Sequence, residues 1–190
     1  HGWYGKESCW QKNIKKFFFR KVDGFFLYGD YARNEMIKEG FDASKLHVIK
    51  NSLDYDKQLE LRNNIVASNV YKEHFKNDNP TIIFIGRLTP VKKLDQIVGA
   101  VGILKQKGEN YNIVFVGDGE IRQSLEVEVV KHQLQDNVWF YGSCFDEKIN
   151  AELIYNADLC VAPGNIGLTA MHVLMFGCRA ISHNNFKWQM

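Results

Sequence analysis

No sign of charge dominates this sequence. Its 24 lysines and arginines against 22 aspartates and glutamates leave a formal charge of +2, whereas a dedicated nucleic-acid binder usually carries a clear basic excess. Long apolar runs are missing too: no window approaches the ~18 uncharged apolar residues that a membrane-spanning helix needs. Cysteine is scarce. Cys9, Cys144, Cys160 and Cys178 stand 135, 16 and 18 residues apart without a CxxC pair, which argues against a zinc site or a thioredoxin-like motif. Cys144 and Cys160 sit in or beside apolar runs and read as buried thiols. The one N-x-S/T triplet, Asn79-Pro80-Thr81, is blocked by its proline. Together these absences lean towards a reducing, cytoplasmic setting. There is no internal repeat and no low-complexity tract. The chain opens at His1 rather than at a methionine, and is expected to be a piece of something longer.

What is present suffices for one full domain and part of another: 190 residues, 45% of them hydrophobic. From residue 79 onward short apolar runs alternate with helical patterns. Strands are expected at 81–85, 113–116, 138–142 and 159–163, and a fifth begins at 179. Between them Leu94, Ile97, Val98, Val101 and Leu104 fall at helical spacing, and further helices are expected up to about 132, at 146–156 and at 167–176. Continuous apolar strands alternating with helices indicate a parallel sheet buried on both faces. The fold class is therefore α/β, a Rossmann-like parallel sheet with helices on both faces, joined to the tail of a second α/β unit. Residues 1–50 form that tail, with strands at 24–28 and 47–49 around a helix at 30–39. The polar stretch 51–79 is expected to be a helical linker, and 80–190 the Rossmann-like domain.

Ligands of such sheets bind at the carboxyl ends of the strands, which directs attention to four turns. In the first, Arg87 ends a strand and Lys92 follows five residues later, expected in the first turn of the next helix. Cations there oppose the helix dipole, and a bound phosphate would offset that cost through charge-assisted hydrogen bonds; a solvated helix start is the bland alternative. In the second, Gly117-Asp118-Gly119 resembles a dinucleotide fingerprint only superficially, because Arg122 occupies the third glycine position. The P-loop pattern is absent. The third turn follows Tyr141-Gly142. In the fourth, Pro163-Gly164-Asn165-Ile166-Gly167-Leu168-Thr169, small residues precede a helix and leave unpaired backbone N–H groups facing the crevice, an arrangement suited to phosphate. His172 follows on that helix, where a lone histidine is more often packed or solvated than catalytic. Residues 12–21 mix cations with aromatics; a helix with a charged outer face is favoured over contact with an anionic membrane.

The ordered set of Gly86-Arg87-Leu88 with Lys92, Val116-Gly117-Asp118-Gly119, Tyr141-Gly142, Tyr155-Asn156-Ala157-Asp158 and the Gly167 turn resembles the carboxyl-terminal domain of the family-four glycosyltransferases, which have the GT-B fold. Asn51-Ser52-Leu53-Asp54 is similar to the family's segment at the entrance to that domain. The resemblance runs from about residue 20 to 190. It implies two facing Rossmann-like domains, the acceptor held mainly by the first and a nucleotide sugar mainly by the second. Arg87 and Lys92 would bind the donor diphosphate together with Gly167, Leu168 and Thr169. Gly164, Asn165 and His172 would face the sugar and ribose, and Gly142 and Ser143 the base. No catalytic residue is assigned.

The reaction so implied moves a sugar from a UDP- or GDP-linked donor to a saccharide or lipid-linked acceptor, with retention of anomeric configuration, no metal and no further cofactor. Expected partners are that donor and acceptor, with peripheral contact to the inner face of a membrane through the missing N-terminal domain and no nucleic acid. Two departures stand out. Relatives commonly carry two glutamates where this chain has Gly164 and His172, and the chain looks truncated at both ends, with His1 falling near a first-domain loop that is functional in some relatives. A nucleotide-sugar epimerase and a non-catalytic partner subunit are the rival readings.

Overall fold

The computed structural model describes residues 8–50 and 52–184, and its backbone divides after residue 51 into two compact units. In the first unit, α1 (Cys9–Phe19) starts with a capping box in which the Gln11 N–H donates to Ser8 Oγ and the Ser8 N–H donates to Gln11 Oε1. Strands β1 (Phe25–Leu27) and β2 (Leu46–Val48) pair in parallel through α2 (Asp30–Lys38). Phe19, Phe25 and Phe41 pack with centroids 5.4–6.4 Å apart, and Met36 and Leu46 of the same unit are buried. The outer side of α1 is more aromatic than its charge pattern suggested. Trp10, Phe17 and Phe18 are largely exposed there.

The second unit holds five parallel strands in the order β5-β4-β3-β6-β7: β3 (Thr81–Ile85), β4 (Asn112–Val116), β5 (Val138–Gly142), β6 (Leu159–Ala162) and β7 (Arg179–Ser182). Their boundaries fall within a residue of the apolar runs. Every residue of β3 and β4 is buried, because successive side chains feed two different cores. Ile82, Phe84, Ile113 and Phe115 join α5 (Asp95–Gln106) and α6 (Arg122–Lys131) on one face. Ile83, Ile85, Val114 and Val116 join α7 (Glu147–Tyr155) and α8 (Thr169–Met175) on the other. Burial of each such side chain contributes about 1.5–3 kcal/mol.

Residues 52–79 do not stand apart as a linker. They form α3 (Tyr55–Asn64) and α4 (Val70–Phe75), which lie over the second core. Tyr71 is buried there and its hydroxyl donates to Leu153 O at 2.5 Å. Burial pushes that phenol well above its ordinary pKa. The Tyr155-Asn156-Ala157-Asp158 motif fastens this corner. Asn156 Oδ1 accepts from the Ser68 N–H at 2.8 Å, and Asp158 Oδ2 accepts from the Thr81 N–H at 2.8 Å.

The chain crosses over between β3 and β6. β4 and β5 extend the sheet one way from β3, and β6 and β7 the other. The switch point lies at the carboxyl ends of β3 and β6, the end at which open α/β sheets take their ligands.

Candidate functional site

The loops leaving β3 and β6 are stitched together at that end. The Gly164 N–H donates to Lys92 O at 3.0 Å and the Asn165 N–H to Val91 O at 3.2 Å. The approach is so close that a Cβ on Gly164 would sit 1.9 Å from Val91 O. Only glycine fits, so the position that carries a carboxylate in the resemblance cannot carry one on this backbone. From the other end of the turn, Thr169 Oγ1 donates to Ile85 O at 2.9 Å, which sets the start of α8 against Gly86.

Lys92 lies in the middle of this construction. Its Nζ donates to Asn165 O at 2.5 Å, and no carboxylate accompanies it among the described residues. Half-burial without a counter-charge lowers its pKa. Sequence reading put Lys92 in the first turn of the following helix. It stands instead in a 3-10 turn (Pro90–Lys92), Lys93 turns left-handed, and α5 opens with Asp95. The expected clash with a helix dipole is therefore absent; the cost of this cation is desolvation. Arg87, one residue beyond the left-handed Gly86, is exposed and makes no hydrogen bond or ion pair among the described residues. Arg87 and Lys92 thus follow the same strand, β3, one exposed and the other half-buried.

The Gly167 turn also differs from expectation in one respect. α8 begins at Thr169 and has only seven residues. Gly167 takes φ +55, and the helix leaves the N–H groups of Gly167 and Leu168 unused. The turn, rather than a long helix, presents these donors.

The glycines after β4 serve packing. A Cβ on Gly117 would meet Gly86 O at 2.0 Å and one on Gly119 would meet Leu88 O at 2.3 Å, while the Leu88 N–H donates to Asp118 O at 2.9 Å. Arg122 pairs with Glu126 and Asp118 and lies over the Phe140 ring. Next along, Gly142 O accepts from the Gly117 N–H at 2.8 Å, Ser143 is exposed, and Phe145 is 92% exposed.

His172 is mostly enclosed. Its Nε2 lies 3.4 Å from Glu147 Oε2, and the same carboxylate oxygen accepts from Gln58 Nε2 at 2.9 Å. Burial holds the imidazole below its ordinary pKa, with Glu147 opposing. Gln58 Oε1 and Asn150 Oδ1 are sealed from solvent without a protein partner, an arrangement that costs about 1–3 kcal/mol per atom. Sequence reading found His172 and missed both partners. Glu147 was within reach, since it opens the helix after a strand's carboxyl end; Gln58 had no local signal.

Cys160 and Cys178 are buried thiols, pushed up to about 12 and about 11 chiefly by desolvation. Cys144, expected to be buried as well, is only half-buried because it lies in the loop after β5. Among the described residues no cluster of histidine, cysteine and carboxylates is placed to hold a metal, and no helix is long and apolar enough to cross a membrane.

An uncharacterized glycosyltransferase of Methanocaldococcus jannaschii is 28% identical over 72% of the chain, and the alpha-D-kanosaminyltransferase of Streptomyces kanamyceticus 22% identical over 87%. The aligned regions span 34% and 43% of those two proteins, so the chain matches less than half of either. HepE of Anabaena, solved in complex with UDP, superposes on 90% or more of the chain (93%) and on 50% of its own with a TM-score of 0.69 at 15% identity, which shows a shared GT-B fold. A family model, described as glycosyl transferases group 1, matches residues 68–187. The chain belongs to the group 1 glycosyl transferases.

Proposed function

We propose that this chain carries the donor-binding part of a retaining, family-four GT-B glycosyltransferase that moves a sugar from a nucleoside diphosphate to a saccharide or lipid-linked acceptor. The single observation that carries the reading is Lys92. This half-buried ammonium lies on the Asn165 carbonyl, without an acidic partner among the described residues, five positions after the exposed Arg87. In the proposal these two cations and the N–H groups of Gly167 and Leu168 hold the diphosphate, with Thr169 fixing the turn. Gly164 and Asn165 border the transferred sugar, His172 the ribose, and Gly142 and Ser143 the base. HepE, which shares this fold, was solved in complex with UDP, and this supports a nucleotide ligand.

The chemistry follows from charge. As the bond between sugar and diphosphate stretches, negative charge grows on the leaving oxygens. Donors already fixed in place stabilise that state more than the ground state. Residues 1–50 belong to the acceptor-side domain in this reading. Peripheral contact with the inner face of a membrane would draw on exposed Trp10, Phe17 and Phe18 of α1 and on Arg20 and Lys21, which follow the helix.

The test is thermal. Uridine or guanosine diphosphate should raise the melting temperature of the full chain, and Arg87→Ala should abolish the rise. A ligand at about a hundred times its Kd adds about 2.7 kcal/mol, which is readily seen. No shift with either nucleotide would instead favour a partner subunit without chemistry, consistent with a Gly164 that has no room for a carboxylate.

A further inference from the structure

We propose that Glu147 and Gln58 are positioning residues for His172, together making its ring a hydrogen-bond acceptor for a ribose hydroxyl of the donor; this rests on the donor site proposed above. Three helices supply the trio: Gln58 from α3, Glu147 from α7 and His172 from α8. Gln58 is only 4% exposed and donates to Glu147 Oε2 at 2.9 Å, which fixes the carboxylate. His172 Nε2 is sealed from solvent, makes no hydrogen bond among the described residues, and lies 3.4 Å from that same oxygen.

A carboxylate oxygen can only accept, so it selects the tautomer with the proton on Nε2 and leaves Nδ1 with a lone pair. A histidine so held offers a hydroxyl what a glutamate at the same position offers: an acceptor. The distance is long for a hydrogen bond, as such bonds often are before a ligand arrives and tightens them. The division of labour is that of an outer carboxylate orienting a working imidazole.

The charged groups around the ring are few. Glu147 faces it from α7. Arg62 of α3 is engaged with Met175 O, and Lys92 of the 90–92 turn with Asn165 O. α8 itself carries no other titratable side chain. Enclosure favours the neutral, accepting ring, and Glu147 opposes it.

The experiment follows the His172 ring by NMR in the full chain from about pH 5 to 8, with affinities for UDP and GDP measured over the same range. Glu147→Gln keeps an acceptor oxygen but removes the charge. It should lower the titration midpoint of His172 and carry the acid-side loss of nucleotide affinity to lower pH by the same interval. The nucleotide's own titration is common to all variants and cancels. His172→Asn should abolish that acid-side step. Gln58→Leu should weaken nucleotide binding about threefold to tenfold, one hydrogen bond's worth, with the melting temperature reporting the fold. A ring midpoint that ignores Glu147→Gln overturns the pair, and an affinity profile that ignores the shifted midpoint overturns the ribose contact. Absence of nucleotide binding to the wild type overturns the donor reading itself, a separate result because the ring titration needs no ligand.

Discussion

Gly164 illustrates how one residue links packing to function. Its missing side chain lets two loops cross with backbone atoms in contact, and that crossing seats Lys92 on Asn165. Gly164→Ala would drive a methyl into Val91 O. The expected loss is about 1–3 kcal/mol, as for other overpacked sites, read as a lower urea midpoint. Nucleotide binding should weaken with it, since the seat of the ammonium moves. Tyr71→Phe is a milder case. It leaves Leu153 O without its buried donor and should cost about 1 kcal/mol, with no effect on nucleotide affinity. Arg87, Lys92 and the Gly167 turn were legible because charge and glycine at strand ends have few other uses. Gln58 was not, because its meaning comes from two helices that lie far off in sequence.

At the scale of elements, α4 covers β5, an outer strand of the sheet. The His74 ring stacks on Trp139 with centroids 3.8 Å apart and planes 11° apart. Desolvation in that stack, with Lys76 adding to it, holds the imidazole below its ordinary pKa. His172 is shifted the same way, mainly by burial. A histidine with a lowered folded pKa takes up protons more readily once unfolded. Its contribution is therefore complete above the unfolded value of about 6.5 and is lost as pH falls below it. The urea midpoint should decline in that acidic window, and His74→Phe, which keeps the stack, should flatten part of the decline. The strands of the second unit were readable to within a residue because they are buried on both faces. The segment 51–79 looked like a linker because α3 is mostly polar, its apolar side narrow, and only its neighbours show that it packs on the core.

For the whole molecule, the sheet order and the family membership point to the same end of the sheet. A switch point between β3 and β6 makes a ligand site by topology alone, and the chain places its desolvated cation there. Its 190 residues match less than half of the first curated relatives, and donor binding is the activity to seek in them. The most direct measurement is a crystal structure of the chain with uridine or guanosine diphosphate. The account requires diphosphate density within hydrogen-bond distance of Lys92 Nζ and the Arg87 guanidinium, against the turn at 167–169. Well-defined nucleotide density elsewhere, touching neither cation, would contradict it.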